Sequence, residues 1–258
     1  MMMRIMKDIL IKLKKGDITV DEADLEIEKR LMSGRSSTID PGREERTGVP
    51  EVVLAEGKTV SQVVDIAEDF IERTGRAILS RLEEDQIHSL KDRFGSDDYI
   101  LHLEELSNTA VIKVPGFQSE ENGGKVGFIT AGTSDIRVIR EGEIISREMG
   151  SDIRSHYDVG VAGLHRIFKP LKALERWGAD SLVVAAGREG ALPTLVSGMT
   201  RIPVIGLPVS VGYGIHPKGE TALFSMLQSC SPLAVVNIDA GFVAGAVASK
   251  IAKTAACG

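Results

Sequence analysis

The sequence predicts an α/β chain: a three-layer α/β/α parallel-sheet domain at the carboxyl end, preceded by a smaller, helix-rich α+β amino-terminal domain. Three observations predict it. Beyond residue 122, short apolar runs alternate with helix-length segments, the pattern of a parallel sheet covered on both faces. The halves also differ in charge: residues 1–122 hold 17 Lys+Arg against 26 Asp+Glu, a net of −9, and residues 123–258 hold 14 against 11, a net of +3. Glycine divides 8 to 19 between the same halves, as tight strand-to-helix turns require. The polar segment from Gln118 to Asn122, followed by Gly123-Gly124, marks the boundary and gives domains 1–122 and 123–258.

In the first half, residues 2–14 and 21–32 read as short amphipathic helices, the first with Ile5, Ile9 and Leu13 at four-residue spacing and the second capped by Asp21. Residues 33–50 read as a loop and Val52-Val53-Leu54 as a short strand. Thr59 then starts a helix whose apolar positions Val60, Val63, Val64, Ala67, Phe70 and Ile71 follow a 3.6-residue period. Arg76 to Leu82 reads as a strand, and residues 97–114 fit either period. In the second half the expected strands are 126–131, 156–161, 181–186, 203–208 and 233–238. The expected helices follow Gly132-Thr133-Ser134-Asp135, span 163–177, open at Gly187-Arg188-Glu189-Gly190, span 219–229 and run to about 254. Ligands in such sheets sit at the carboxyl ends of the strands.

Composition excludes several classes. A net charge of −6 and only 7 Phe, 3 Tyr and 1 Trp argue against nucleic-acid and membrane-surface partners. No apolar run approaches ~18 residues, so no membrane span is expected. The start, Met1-Met2-Met3-Arg4-Ile5-Met6-Lys7-Asp8, does not read as a signal peptide. Two cysteines make neither a disulfide framework nor a structural zinc site, and the expected compartment is the reducing cytoplasm.

Several side chains could carry chemistry. The loop Gly132-Thr133-Ser134-Asp135 lies where a strand ends and a helix begins, so its N–H groups favour an anion; it also suits a plain capping turn. Glu189, flanked by glycine in Gly187-Arg188-Glu189-Gly190, is a candidate base or a helix-start carboxylate answering the dipole. Gly212-Tyr213-Gly214-Ile215-His216-Pro217 is no dinucleotide fingerprint, because Pro217 stands where the third glycine belongs, and there is no Walker loop. What remains is a loop with His216, Lys218 and Glu220, either a surface or a ligand loop. Cys230 is a small buried hydrophobe or a nucleophile, and Cys257 lies at the frayed terminus. The five histidines show no metal-binding spacing.

Arg46-Thr47-Gly48-Val49-Pro50-Glu51-Val52-Val53, followed by Ala55-Glu56-Gly57-Lys58-Thr59, resembles the amino-terminal signature of the LarB family. The likeness continues through Ala131–Asp135, Tyr157-Asp158-Val159-Gly160-Val161-Ala162-Gly163-Leu164-His165-Arg166, Glu189–Pro193, Val211–Gly214 and Gln228-Ser229-Cys230-Ser231-Pro232. Two positions depart from the family pattern. Leu233 follows Pro232 where a glycine is usual, and Ala240-Gly241 stands where Asn-Gly is usual. The resemblance implies a carboxy-terminal domain like the aminoimidazole ribonucleotide carboxylases and mutases, assembled as an octamer. It also implies an activity in nickel-pincer cofactor biosynthesis. Nicotinic acid adenine dinucleotide would be carboxylated at C5 of its pyridinium ring and its phosphoanhydride hydrolysed, giving pyridinium-3,5-biscarboxylic acid mononucleotide and AMP.

The chemistry sets the roles. An electron-poor pyridinium does not attack CO2 until a nucleophile adds to the ring and leaves an enamine. Cys230 is the expected nucleophile, with His216 and Lys218 as cationic neighbours able to lower its pKa. Glu189 is the expected base for the C5 proton or for the hydrolytic water, and Asp135, by resemblance to the carboxylase loop, would orient substrate or CO2. Thr133, Ser134, Asp158, His165, Arg166, Gly212, Gly214, His216 and Lys218 are the expected substrate-binding residues, with hydroxyl and amide donors on the carboxylates or phosphate. No organic cofactor is expected. CO2 or bicarbonate is the co-substrate, Mg2+ could assist the phosphoanhydride step, and the chain is expected to be a homo-oligomer. The alternatives are a purine-type carboxylase or mutase, whose aminoimidazole substrate is already an enamine, and a non-catalytic nucleotide-binding module.

Overall fold

The computed structural model describes residues 2–32, 40, 42–211 and 218–257. The chain divides between Phe117 and Gln118 into two units, five residues before the boundary read from composition. Gln118 to Gly124 go with the second unit because Asn122 ties them there. Its Nδ2 donates to the Met149 carbonyl (2.8 Å) and to Ser151 Oγ (2.9 Å), and its Oδ1 accepts from the Gly124 amide (2.7 Å).

In the first unit, α1 (Met2–Lys15) and α2 (Val20–Met32) form as their periodicity predicts. Thr19, not Asp21, caps α2. The Glu22 amide donates to Thr19 Oγ1 (3.2 Å) while the Thr19 amide donates to Glu22 Oε2 (2.7 Å), a reciprocal pair that satisfies two orphan donors. The segment expected as a loop contains a short helix, α3 (Arg43–Thr47). The signature around it is internally tied: Arg46 pairs with Asp40 at 2.6 Å, the Asp40 amide donates to Glu51 Oε2 at 3.0 Å, and buried Arg76 pairs with Glu44 at 2.7 Å. After β1 (Val53–Leu54), Thr59 and Gln62 cap α4 (Val60–Thr74), which ends at left-handed Gly75. Val63, Ala67, Phe70 and Ile71 of α4 bury their stripe with Ala77, Leu79, Ala110 and Ile112 of the sheet.

That sheet contains β2 (Arg76–Ser80), β3 (Ile100–Glu104) and β4 (Thr109–Lys113) with β1, in the order β1-β2-β4-β3. Its β1–β2 pair is parallel and the other pairs antiparallel, so the ambiguous stretch 97–114 is a hairpin. Between β2 and β3 lies α5 (Glu84–Phe94), where the sequence reading assigned no element.

The second unit is a five-stranded parallel sheet. In chain order it runs β5 (Lys125–Thr130), α6 (Ile136–Glu148), β6 (Asp152–His156), α7 (His165–Trp177), β7 (Ser181–Ala186), α8 (Ala191–Ser197), β8 (Val204–Pro208), α9 (Glu220–Leu227), β9 (Ala234–Val235) and α10 (Gly241–Ala256). The strand order is β6-β5-β7-β8-β9, and every pair is parallel. Alternation along the strands builds two cores. Val126, Phe128, Val183 and Ala185 pack with Val138 and Ile139 of α6 and Ala244 and Ala248 of α10. Ile129, Leu182 and Val184 pack with residues of α7, α8 and α9. A Cβ on Gly245 would run into the Gly142 carbonyl, so glycine is what lets α10 lie against α6.

Two strands fall short of expectation. The strand expected at 156–161 is β6, ending at His156, because Asp158 turns the chain with a φ of +56°. The strand expected at 233–238 keeps only Ala234–Val235 in regular form. Among the described residues, no helix is long and apolar enough to cross a membrane.

Candidate active site

The chain leaves β5 through α6 toward β6 on one side, and leaves β7 through α8 toward β8 on the other. The crevice between the carboxyl ends of β5 and β7 is therefore the switch point of the sheet, where such folds bind ligands. A cavity of about 580 Å3 occupies it, lined by Gly132, Ser134 and Asp135 after β5, by Gly187, Arg188 and Glu189 after β7, and by Gly160, Arg166 and Val211.

Asp135 is the buried carboxylate of this cavity, 3% exposed. Its Oδ2 accepts from the Gly132 amide at 2.8 Å, and its Oδ1 faces Gly187, where a Cβ would lie 3.6 Å away. One side chain thus bridges the loops on both sides of the switch point. Burial pushes its carboxyl up to about 6, against the opposing pull of the Gly132 and Gly187 amides.

The loop after β6 is pinned from two sides. The Asp158 amide donates to Thr130 Oγ1 at 3.1 Å, and Arg166 Nη1 donates to the Asp158 carbonyl at 2.9 Å and to its Oδ2 at 3.3 Å. Gly160 packs against Ala131, where a Cβ would come within 2.7 Å of the Ala131 carbonyl oxygen. Arg166 therefore lines the cavity and also holds Asp158 in its left-handed conformation. The loop after β7 is equally tight. A Cβ on Gly187 would come within 2.5 Å of the Val211 carbonyl oxygen, and Arg188 and Gly190 have φ of +43° and +62°.

The structure thus brings Asp135, Ser134, Glu189 and Arg166 to one cavity. Asp158 stands beside it through Arg166. Thr133 and His165 are exposed and do not line it. Lys218, with a φ of +74°, precedes α9, and Gly212, Gly214 and His216 lie outside the described residues. Cys230 is exposed, not buried as a small hydrophobe would be, in the turn between α9 and β9. That turn is at the amino edge of the sheet, where the Ser197 hydroxyl at the end of α8 donates to the Pro232 carbonyl. The five residues of β8, at about 3.3 Å each, put roughly 17 Å between this edge and the cavity. The expected pairing of Cys230 with Lys218 is not made within one copy, because α9 runs between them.

Arg188 also lines the cavity, and nothing in its Gly-Arg-Glu-Gly motif sets it apart from a solvated arginine. Among the described residues no group of three or more His, Cys, Asp or Glu could hold a metal ion. Mg2+ at a phosphoanhydride is commonly held by one or two carboxylates together with the substrate's phosphates, and Asp135 and Glu189 are the carboxylates that line this cavity.

The AIR carboxylase family model matches residues 125–257, and the model of the LarB/PurE-like N-terminal domain matches residues 32–113. The chain belongs to the AIR carboxylase family. Within that family it carries a LarB/PurE-like amino-terminal domain, in keeping with the LarB resemblance of its motifs. A protein of Methanocaldococcus jannaschii described as uncharacterized is 40% identical over 260 residues, covering 96% of this chain and 97% of its own. The N5-carboxyaminoimidazole ribonucleotide mutase of Thermotoga maritima is 32% identical over 133 residues, 49% of this chain and 74% of its own. That of Pyrococcus horikoshii is 30% identical over 132 residues, 49% of this chain and 71% of its own. This AIR carboxylase family member is an enzyme of the carboxylase/mutase type.

Proposed function

We propose that the chain carboxylates the pyridinium ring of nicotinic acid adenine dinucleotide at C5 and hydrolyses the phosphoanhydride, releasing pyridinium-3,5-biscarboxylic acid mononucleotide and AMP. What carries the reading is one pairing. Asp135, Glu189, Arg166 and Arg188 share a cavity in a carboxylase-type domain, and the same chain has a LarB/PurE-like amino-terminal domain. The two cations suit a substrate with carboxylate and phosphate groups.

The steps balance without an oxidant. The Cys230 thiolate adds to C4 of the pyridinium, and the electron pair displaced to N1 leaves an enamine whose nucleophilic carbon is C5. C5 attacks CO2. Glu189 removes the C5 proton, and loss of the thiolate restores the aromatic cation. Water, activated by a carboxylate, then cleaves the phosphoanhydride. Asp135 orients CO2 or the new carboxylate, and its raised basicity lets it carry a proton near pH 6. Because Cys230 and the cavity lie at opposite edges of the sheet in one copy, the mechanism requires Cys230 of a second copy at the cavity. The reading therefore includes a homo-oligomer, an octamer by resemblance.

Two observations favour a second reading, carboxylation of or carboxyl migration on an aminoimidazole ribonucleotide. The mutases named above match half of this chain, and that chemistry needs no cysteine at the cavity.

One experiment separates the two. The protein is incubated with the dinucleotide, and in parallel with aminoimidazole ribonucleotide, each with 13C-bicarbonate, and products and intact protein are weighed by mass spectrometry. The expected result is AMP, a mononucleotide heavier by one labelled carboxylate, and a protein adduct that persists in Cys257→Ser and vanishes in Cys230→Ser. Turnover of aminoimidazole ribonucleotide alone, undiminished in Cys230→Ser, would overturn the reading in favour of the second.

A further inference from the structure

We infer that Asp239, which follows β9, is a positioning residue for the cavity, acting through the loop after β8. Its Oδ1 accepts from the Ser210 amide at 2.9 Å. Its own amide donates to the Pro208 carbonyl at 2.9 Å. A single residue thus grips the β8 loop at both sides of Val209. The next residue, Val211, lines the cavity, and its carbonyl rests on Gly187 so closely that no Cβ fits between them. Gly187 in turn lies against Asp135, a Cβ there being 3.6 Å from Asp135 Oδ1. The path from Asp239 runs through Ser210, Val211 and Gly187 to the buried carboxylate, each step a hydrogen bond, a peptide link or a backbone contact.

The conformation of Asp239 shows that this place is held against a backbone preference. Its φ is +54°, a left-handed value that costs a non-glycine residue about 1 kcal/mol and that aspartate and asparagine tolerate best. Glycine would remove that cost but also the acceptor for Ser210. The same crossing fixes the other stem of the β8 loop: a Cβ on Gly219 would lie 3.1 Å from the Val209 carbonyl oxygen and 3.2 Å from Ser210 Cα.

The inference deepens the proposed site and rests on this cavity being where the reaction occurs; its test needs no substrate. Hydrogen exchange followed by mass spectrometry is measured on the full chain and on Asp239→Asn, Asp239→Gly and Asp239→Ala. Asparagine keeps an acceptor and tolerates the left-handed backbone, glycine keeps only the backbone, and alanine keeps neither. Exchange in the peptide covering 183–191 should rise about tenfold in Asp239→Gly, as loss of one hydrogen bond allows. It should stay within about twofold in Asp239→Asn, while the peptide covering 76–80 stays unchanged. Wild-type exchange in Asp239→Gly would overturn the inference, and so would Asp239→Asn behaving as Asp239→Gly or a rise spread equally to 76–80. Should Asp239→Ala not fold, the glycine and asparagine variants decide alone. Failure here with normal turnover of the dinucleotide would spare the proposed function, and the reverse would spare the positioning role.

Discussion

The two edges of the second unit's sheet solve the same turning problem with different residues. At the amino edge, the left-handed positions before β5, β6 and β7 are Gly123, Gly150 and Gly178. At the carboxyl edge, the chain after β6, β7, β8 and β9 places Asp158, Arg188, Lys218 and Asp239 in the same conformation, alongside Gly190 and Gly219. Glycine takes that conformation at no steric cost, whereas each side-chain-bearing residue costs about 1 kcal/mol or more. Strain is accepted at the edge where charged side chains are wanted and avoided where the turn needs only to close. Cys230 is the exception that tests this division, since the proposed nucleophile stands at the unstrained edge.

The largest expected effect bears on that exception. Cys230→Ser should lower formation of the carboxylated mononucleotide by about 10^3-fold or more, the scale of a lost nucleophile. Mixing Cys230→Ser subunits with Glu189→Gln subunits should restore part of the activity. A mixed oligomer can hold cavities in which an intact Cys230 from one copy meets an intact Glu189 from another. No recovery in demonstrably mixed oligomers would place both groups in one copy and dissolve the contrast between the edges. Glu189→Gln alone should cost about 10^2- to 10^4-fold in kcat. Its melting temperature should stay within a degree or two, because Glu189 is exposed and surface changes are worth roughly 0.5 kcal/mol.

Asp135 supplies a smaller effect with a definite sign. Burial holds its folded-state carboxyl at about 6 against an ordinary 3.8. The folded state therefore keeps a proton that the unfolded chain has lost. Asp135 favours the fold below pH 4, and that contribution disappears as pH rises through 6. Denaturant titrations of the wild type and Asp135→Asn at pH 4 and pH 7.5 should show the wild type losing ground by up to roughly 3 kcal/mol relative to the variant. A pH-independent difference would mean that the carboxylate is solvated in the folded protein.

The same contrast explains how much was legible beforehand. Strands β5, β7 and β8 are covered on both faces, so their apolar runs announce them. The edge strand β6 reads Asp152-Ile153-Arg154-Ser155-His156; half covered, it alternates, and the expected strand, 156–161, begins where β6 ends. Asp135 and Glu189 could be picked from position alone, because a parallel sheet sends the residues after its strands to one edge. The same rule, applied to a cysteine that precedes a strand, already puts Cys230 at the other edge. What sequence could not supply was which side chain holds which amide. Nothing in Asn237-Ile238-Asp239 says that Asp239 reaches Ser210, and nothing in Arg188 announces a left-handed backbone.

The smallest effect asks whether the carboxyl edge is strained because of its side chains. Lys218 is exposed and left-handed, and Gly178 is its glycine counterpart at the amino edge. Lys218→Gly should raise stability by about 1 kcal/mol or less, since relief of backbone strain is partly offset by the freer unfolded chain. Gly178→Ala should lower stability by about 1 kcal/mol, because alanine must adopt the φ that glycine now takes freely. Opposite shifts in melting temperature would show that the two turns differ in their residues and not in their geometry. If Lys218→Gly also weakens binding of the anionic dinucleotide, the strain is the cost of keeping a cation at the cavity's edge. If stability rises and binding is untouched, Lys218 has no part in the site, and the contrast between the edges rests on Asp158, Arg188 and Asp239 alone.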